Sequence, residues 1–116
     1  MSEEVKDDTY RTQKILFYCE AIVEFLKNKS YEEFRKNHQL NFAISFALSQ
    51  IGEEAVRLTE EFRTKYQHIL WRNMIGVRHR IVHDDLGANM MVLWEVAQES
   101  IPALLEAINQ ILKAAD

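Results

Sequence analysis

Glycine and proline together fill only four of the 116 positions. A chain so poor in residues that reverse direction tightly does not supply the many turns of an all-β fold. It has to be built from a few long elements, and the apolar spacing says that these are helices. From about Glu4 to Asn28, Ile15, Cys19, Ile22 and Leu26 recur at three- and four-residue steps, flanked by Leu16 and Val23. From about Gln39 to Lys65, Leu40, Ile44, Ala47, Ile51, Ala55, Leu58 and Phe62 form one stripe, which Phe42 and Phe46 are expected to widen. Ser45, Ser49 and Gly52 make a line of small residues on the same helix that lets a neighbour come close. Between these two helices, Ser30 with Glu33 three residues later has the form of a capping box, opening a short turn of helix around Tyr31 to Arg35.

A fourth helix is expected from about Ile69 to Asp84, with Gly87 where an αL cap belongs. Asn89 caps a last helix reaching about Lys113, with Met90, Leu93, Trp94, Ala97, Ile101, Leu104, Leu105, Ile108 and Leu112 as its apolar face. Pro102 lies inside that helix. It lacks an N–H and its ring collides with the Gln98 carbonyl, so a kink is expected there. The expected architecture is all-α: an antiparallel bundle of four to five helices, one domain over residues 1–116.

Several classes fall away. A single cysteine, Cys19, forms no internal disulfide and reads as a small core residue in a reducing cytoplasm. The first ten residues are charged and carry no apolar signal region. No apolar run nears the ~18 residues of a membrane span, so a cytoplasmic chain without a membrane partner is expected. A formal net charge of -4 argues against sequence-blind coating of DNA, yet leaves room for one focused phosphate site.

That site has an obvious place. The 22 residues from Phe62 to His83 contain no Asp or Glu, while holding Arg63, Lys65, Arg72, Arg78 and Arg80 with His68, His79 and His83. Local positive charge on an acidic chain points to an anionic ligand. Arg78 falls on the wrong face. Trp71, Met74, Ile75, Ile81 and Val82 make the apolar stripe, and Arg78, seven residues after Trp71 and four before Val82, is centred on it. A guanidinium facing a core is expensive unless paired. Either it is a structural arginine held by Glu53 or Glu54, or the stripe breaks there because it faces a cleft or a subunit interface. His83 is five residues further, about 140° round an ideal helix. The two side chains meet on one phosphate only if the helix end unwinds or a second subunit closes the site.

His79 and His83, four apart, also have the spacing of two helical metal ligands, with Asp84 or Asp85 as a third. Position 80, where a zinc-peptidase helix carries its glutamate, is arginine, and a cation beside a dication is unfavourable. No metal or cofactor is therefore expected. A glycine-rich phosphate loop and a nucleophile turn are both missing. Trp71 and Trp94 read as core or interface, and Tyr10, Tyr18, Tyr31 and Tyr66 form no evident stacking cluster.

Arg78-x4-His83 resembles the Arg-x4–6-His motif of HEPN domains. Ile51-Gly52-Glu53-Glu54-Ala55, Trp71-Arg72-Asn73-Met74-Ile75-Gly76-Val77-Arg78 and Ile101-Pro102-Ala103-Leu104 resemble segments of the HepT-like branch of that superfamily, so the likeness spans nearly the whole chain. The resemblance implies an all-helical homodimer and a metal-independent ribonuclease toxin acting on RNA. It implies Arg78 and His83 as the catalytic pair, with His79 in the place of the polar residue after the arginine. It also implies a minimal nucleotidyltransferase antitoxin as partner. Many relatives carry, two residues after the motif histidine, a tyrosine that the antitoxin modifies; here that position is Asp85. Arg72 and Arg80 are expected to hold flanking phosphates. Two other readings of the basic segment stay open: a non-catalytic dimeric module binding a nucleotide or partner, and a metal-dependent hydrolase.

Overall fold

The computed structural model describes residues 3–83 and 90–114, with side chains from residue 7 onward. The expected caps at Gly87 and Asn89, and the positions of Asp84 and Asp85, lie outside the described residues. All regular structure within them is helical. The order is α1 (Glu3–Leu26), α2 (Tyr31–Lys36), α3 (His38–Arg57), α4 (Glu60–Lys65), α5 (Trp71–His83), α6 (Met90–Glu95) and α7 (Ile101–Ala114). A π-helical turn, Val96–Ser100, runs between α6 and α7. The all-α bundle expected from the apolar spacing is what the chain forms.

Local chemistry sets the boundaries. After α1, Asn28 takes a left-handed conformation (φ 62°), which asparagine tolerates better than most residues. Ser30 caps α2 as expected, accepting from the Glu33 amide at 3.1 Å. The Glu33 carboxylate bonds back to the Ser30 hydroxyl at 3.3 Å, whereas a full capping box would use the backbone N–H. Asn37 then caps α3, its side chain accepting from Leu40 N at 3.0 Å.

The helix expected to run unbroken from Gln39 to Lys65 is interrupted. Leu58 and Thr59 are extended, and Thr59 starts α4 by accepting from Phe62 N at 3.1 Å. The cause is remote in sequence. Asp8 of α1, 5% exposed, accepts from Thr59 N at 2.9 Å and from Thr59 Oγ1 at 2.6 Å. A buried carboxylate needs such donors, and taking them fixes the chain in a turn that apolar periodicity cannot report.

The core joins α1, α3, α5, α6 and α7, with Phe34 of α2 inserted. Ile15, Cys19 and Ile22 of α1 and Ile44, Leu48 and Ile51 of α3 have no exposed surface. α3 packs chiefly on α5 and α1, and α1 also packs on α7. Three expected core positions are corrected. Phe42, Phe46 and Val82 are 60%, 58% and 53% exposed, so they broaden no core stripe. They lie off the packed arcs of α3 and α5; on α5 it is Ile75, Val77 and Ile81 that pack, partly buried, against the core. Trp71 is buried, donating from Nε1 to the Tyr66 carbonyl at 3.2 Å, and Trp94 packs partly buried against Phe34 and Tyr31.

The proline step takes a specific form. Pro102 cannot donate to Gln98, and the preceding turn widens so that Ile101 N reaches Val96 O, one residue further back than in an α-helix. Among the described residues, no helix is long and apolar enough to cross a membrane.

Two outcomes follow. Asp8→Ala should lower unfolding free energy by about 1.5–3 kcal/mol, because it strips a charged acceptor from two donors; urea titration by circular dichroism measures it. Burial first, then the neighbouring Glu20 charge, pushes the Cys19 thiol up to about 12. A folded-state pKa raised above the unfolded one stabilises fully below the unfolded value and loses that contribution as pH climbs towards about 12. Native protein at neutral pH should resist iodoacetamide, and urea-unfolded protein should react.

Candidate active site

Arg78 owes its position to a glycine on another helix. Gly52 of α3 is buried, and a Cβ built there would overlap Arg78 Cβ and sit 2.7 Å from the Met74 carbonyl oxygen. The small-residue line expected on α3 therefore receives α5. Ser45 and Ser49 keep their hydroxyls on their own helix, bonding Asn41 O and Phe46 O at 2.8 Å each, and so leave the approach open. With its Cβ pressed on Gly52, Arg78 runs along the edge of the helix pair rather than into the core. Its side chain is 34% exposed.

Its partner is Glu53, not Glu54. Arg78 Nε lies 2.7 Å from Glu53 Oε2, and the other Glu53 oxygen lies 3.0 Å from Arg57 Nη2. Glu54, one position on, turns to α1 and is buried between Arg11 Nη1 at 3.0 Å and Lys14 Nζ at 3.1 Å. The hydrogen bond to Glu54 is the main cause that raises the Arg11 pKa. Adjacent carboxylates thus tie α3 to α5 on one side and to α1 on the other. Above them is a cleft of about 350 Å³ lined by Lys14, Ser49, Gln50, Glu53, Glu54, Arg57, Arg78 and Val82. Its three cations against two carboxylates leave it positive. Lys14 and Arg57 were not foreseen there; Arg57 is legible as the i+4 partner of Glu53, whereas Lys14 needs the α1–α3 packing.

The histidines stand apart from this cleft. α5 stays helical through His83, so its end does not unwind, and the angular separation of about 140° from Arg78 remains. His83 is exposed and packs on His79, ring centroids 4.5 Å apart. Among the described residues, no third His, Cys, Asp or Glu joins them in a group able to hold a metal. Arg72 and Arg80 are exposed on the same helix. One protomer therefore brings His79 to His83 and Arg78 to Glu53, and does not bring Arg78 to His83.

The apolar surface next to the cleft is the other unusual feature. Phe42, Phe46, Ser49, Glu53 and Val56 share one face of α3 by helical spacing. Phe42, Phe46 and Val56 are exposed, as is Phe17 of α1. Tyr18 contacts both Phe17 and Phe46 edge-on. An apolar patch thus runs along α1 and α3 up to the cleft that holds Arg78.

Residues 15–111 match the family model described as "Ribonuclease HepT-like". The chain belongs to the HepT-like ribonuclease family. The match covers α3, α5 and the proline step together, so the segments that carried the resemblance sit in one fold. Similar proteins include "Putative RNase MJ1216" of Methanocaldococcus jannaschii, 33% identical over 85% of this chain and 82% of that protein. "Putative RNase TTE0752" of Caldanaerobacter subterraneus is 34% identical over 87% and 90%. "Probable ribonuclease HepT" of Thermococcus cleftensis is 31% identical over 81% and 86%. No solved structure matches this HepT-like chain significantly.

Gly52→Ala provides a sign test of the packing. In an ordinary helix interior this change stabilises by up to about 1 kcal/mol. Here it should destabilise by about 1–3 kcal/mol, because backbone and Cβ must give way. An unchanged or raised denaturation midpoint would contradict the close α3–α5 approach.

Proposed function

We propose that this protein is a metal-independent endoribonuclease whose site is completed across a homodimer, with Arg78 and His83 as the catalytic pair. The observation that carries the reading is the cleft-edge position of Arg78 beside an exposed aromatic patch. Large apolar patches on a soluble surface mark interaction sites, and a two-fold contact places the same surface of each protomer against the other. Such a contact through α1 and α3 supports bringing a second α5 towards the cleft, where the partner's histidine can meet Arg78.

The chemistry follows from the groups. The RNA 2′-hydroxyl attacks the adjacent phosphorus; the P–O2′ bond forms and the P–O5′ bond breaks. The His83 imidazole takes the hydroxyl proton, and the imidazolium so formed delivers a proton to the departing 5′-oxygen. Glu53 engages Arg78 through Nε, so the terminal amino groups of the guanidinium are what the phosphate meets, and they stabilise its growing charge. The products are a 2′,3′-cyclic phosphate and a 5′-hydroxyl. His79 packs beside His83 and holds its ring, while Arg72 and Arg80 contact flanking phosphates. The family relationship supports a cytoplasmic toxin paired with a minimal nucleotidyltransferase antitoxin. Asp85 has no phenol to carry a nucleotidyl group, so control by modification of a tyrosine at that position does not extend to this chain. The Arg78–Glu53 ion pair favours one other reading, a dimeric module that binds a nucleotide or partner without cutting RNA.

Purified protein should cut single-stranded RNA in EDTA. His83→Ala and Arg78→Ala should each lose on the order of 10²–10⁴-fold in rate, read by gel with 2′,3′-cyclic phosphate ends. Cleavage by His83→Ala at the wild-type rate contradicts the assignment, and partner binding without cleavage by the wild type favours the module.

A further inference from the structure

Seven arginines occur in the chain. Arg11, Arg35, Arg57 and Arg78 each engage a carboxylate, and Arg80 is also engaged. Among the described residues this leaves Arg63 and Arg72 without a partner, and both line the same groove. That groove, about 560 Å³, lies between α4 and the start of α5 and is also lined by Glu60, Thr64, Gln67 and Asn73 and by the apolar stretch from Ile69 to Trp71. Arg63 Nε is buried and makes no hydrogen bond. A buried donor left unmatched is costly, and a small turn of this part-exposed guanidinium would present its Nε–Nη edge to an oxyanion in the groove.

The helix setting points the same way. Trp71, Arg72 and Asn73 begin α5, a 13-residue helix with no acidic residue in its first turn. The N-terminal end of a helix dipole favours negative charge and disfavours a cation. Arg72 at the start of α5 and Arg63 in the last turn of α4 face one groove carboxylate, Glu60, so the groove keeps a net positive charge that an anion completes. Neutral side chains with amide and hydroxyl groups suit a phosphodiester, which needs several hydrogen bonds but no full charge neutralisation.

The groove is distinct from the Arg78 cleft. Six residues separate Arg72 from Arg78, about 9 Å along the helix and roughly 120° around it. One phosphate cannot reach both. We infer that Arg63 and Arg72 form a second phosphate subsite, in the α4–α5 groove, which holds the RNA strand away from the scissile bond. This rests on the ribonuclease reading only for the identity of the strand, and its test is independent of cleavage.

The probe is a fluorescein-labelled, single-stranded 2′-O-methyl oligoribonucleotide, which lacks the attacking hydroxyl and stays intact. Anisotropy titrations at several salt concentrations compare the full chain with Arg63→Ala/Arg72→Ala and with Arg72→Glu, whose exposed position spares the fold. Both variants should bind at least tenfold more weakly than wild type. The slope of log affinity against log salt should shrink by about 0.7 for each phosphate that the variant no longer neutralises. Arg72→Glu with unchanged affinity and slope overturns the subsite, as does wild-type protein that does not bind the oligomer. Loss of ATP binding, by calorimetry, without loss of oligomer binding also overturns it, assigning the groove to a free nucleotide instead. Wild type that binds the oligomer but fails to cut unmodified RNA leaves the subsite standing and removes only the catalytic reading.

Discussion

The contact between Gly52 and α5 is the constraint from which the site follows. Because no Cβ stands at position 52, the α5 backbone comes against α3, and Arg78 is carried to the edge of the helix pair. There Glu53 meets it at 2.7 Å, and the same carboxylate reaches Arg57. A larger residue at 52 would push α5 outward and separate the guanidinium from its partner. Truncating Glu53 would leave a half-buried cation without a counter-charge, which is costlier than never having placed one. Glu54 then extends the scheme, since its burial between Arg11 and Lys14 locks α1 against the opposite side of α3.

Much of this is legible in the sequence. The helical class followed from apolar spacing and the scarcity of turn residues, and the small-residue line correctly marked where a helix would pack. Arg78 was recognisable because a guanidinium on an apolar stripe has to have a reason. What periodicity could not give was anything fixed by polar contacts distant in sequence. The break at Leu58 and Thr59 depends on Asp8, some fifty residues earlier. The choice of Glu53 over its neighbour depends on which side of α3 each helix occupies. The place of Arg63 in the groove depends on α4, a short helix that apolar periodicity runs together with α3.

The outward-facing phenylalanines carry a related lesson. Phe42 and Phe46 satisfy a hydrophobic pattern, yet the core that the described helices form does not use them. Residues that fit the pattern and miss the core leave an exposed apolar surface, and here that surface borders the arginine cleft. α5 remains helical through His83, so the histidine faces away from the arginine on its own chain. Taken together, these two observations are what support the proposal that a second protomer completes the site.

The most direct measurement is complementation between two inactive chains. Arg78→Ala and His83→Ala proteins are prepared separately, mixed in equal amounts under conditions that exchange subunits, and assayed on single-stranded RNA in EDTA. If arginine and histidine act across the protomer boundary, half of the dimers are mixed, each with one of its two sites intact, and about a quarter of wild-type activity returns. If the mixture stays as inactive as its components although mixed dimers have formed, the two groups do not work across the interface and the account fails.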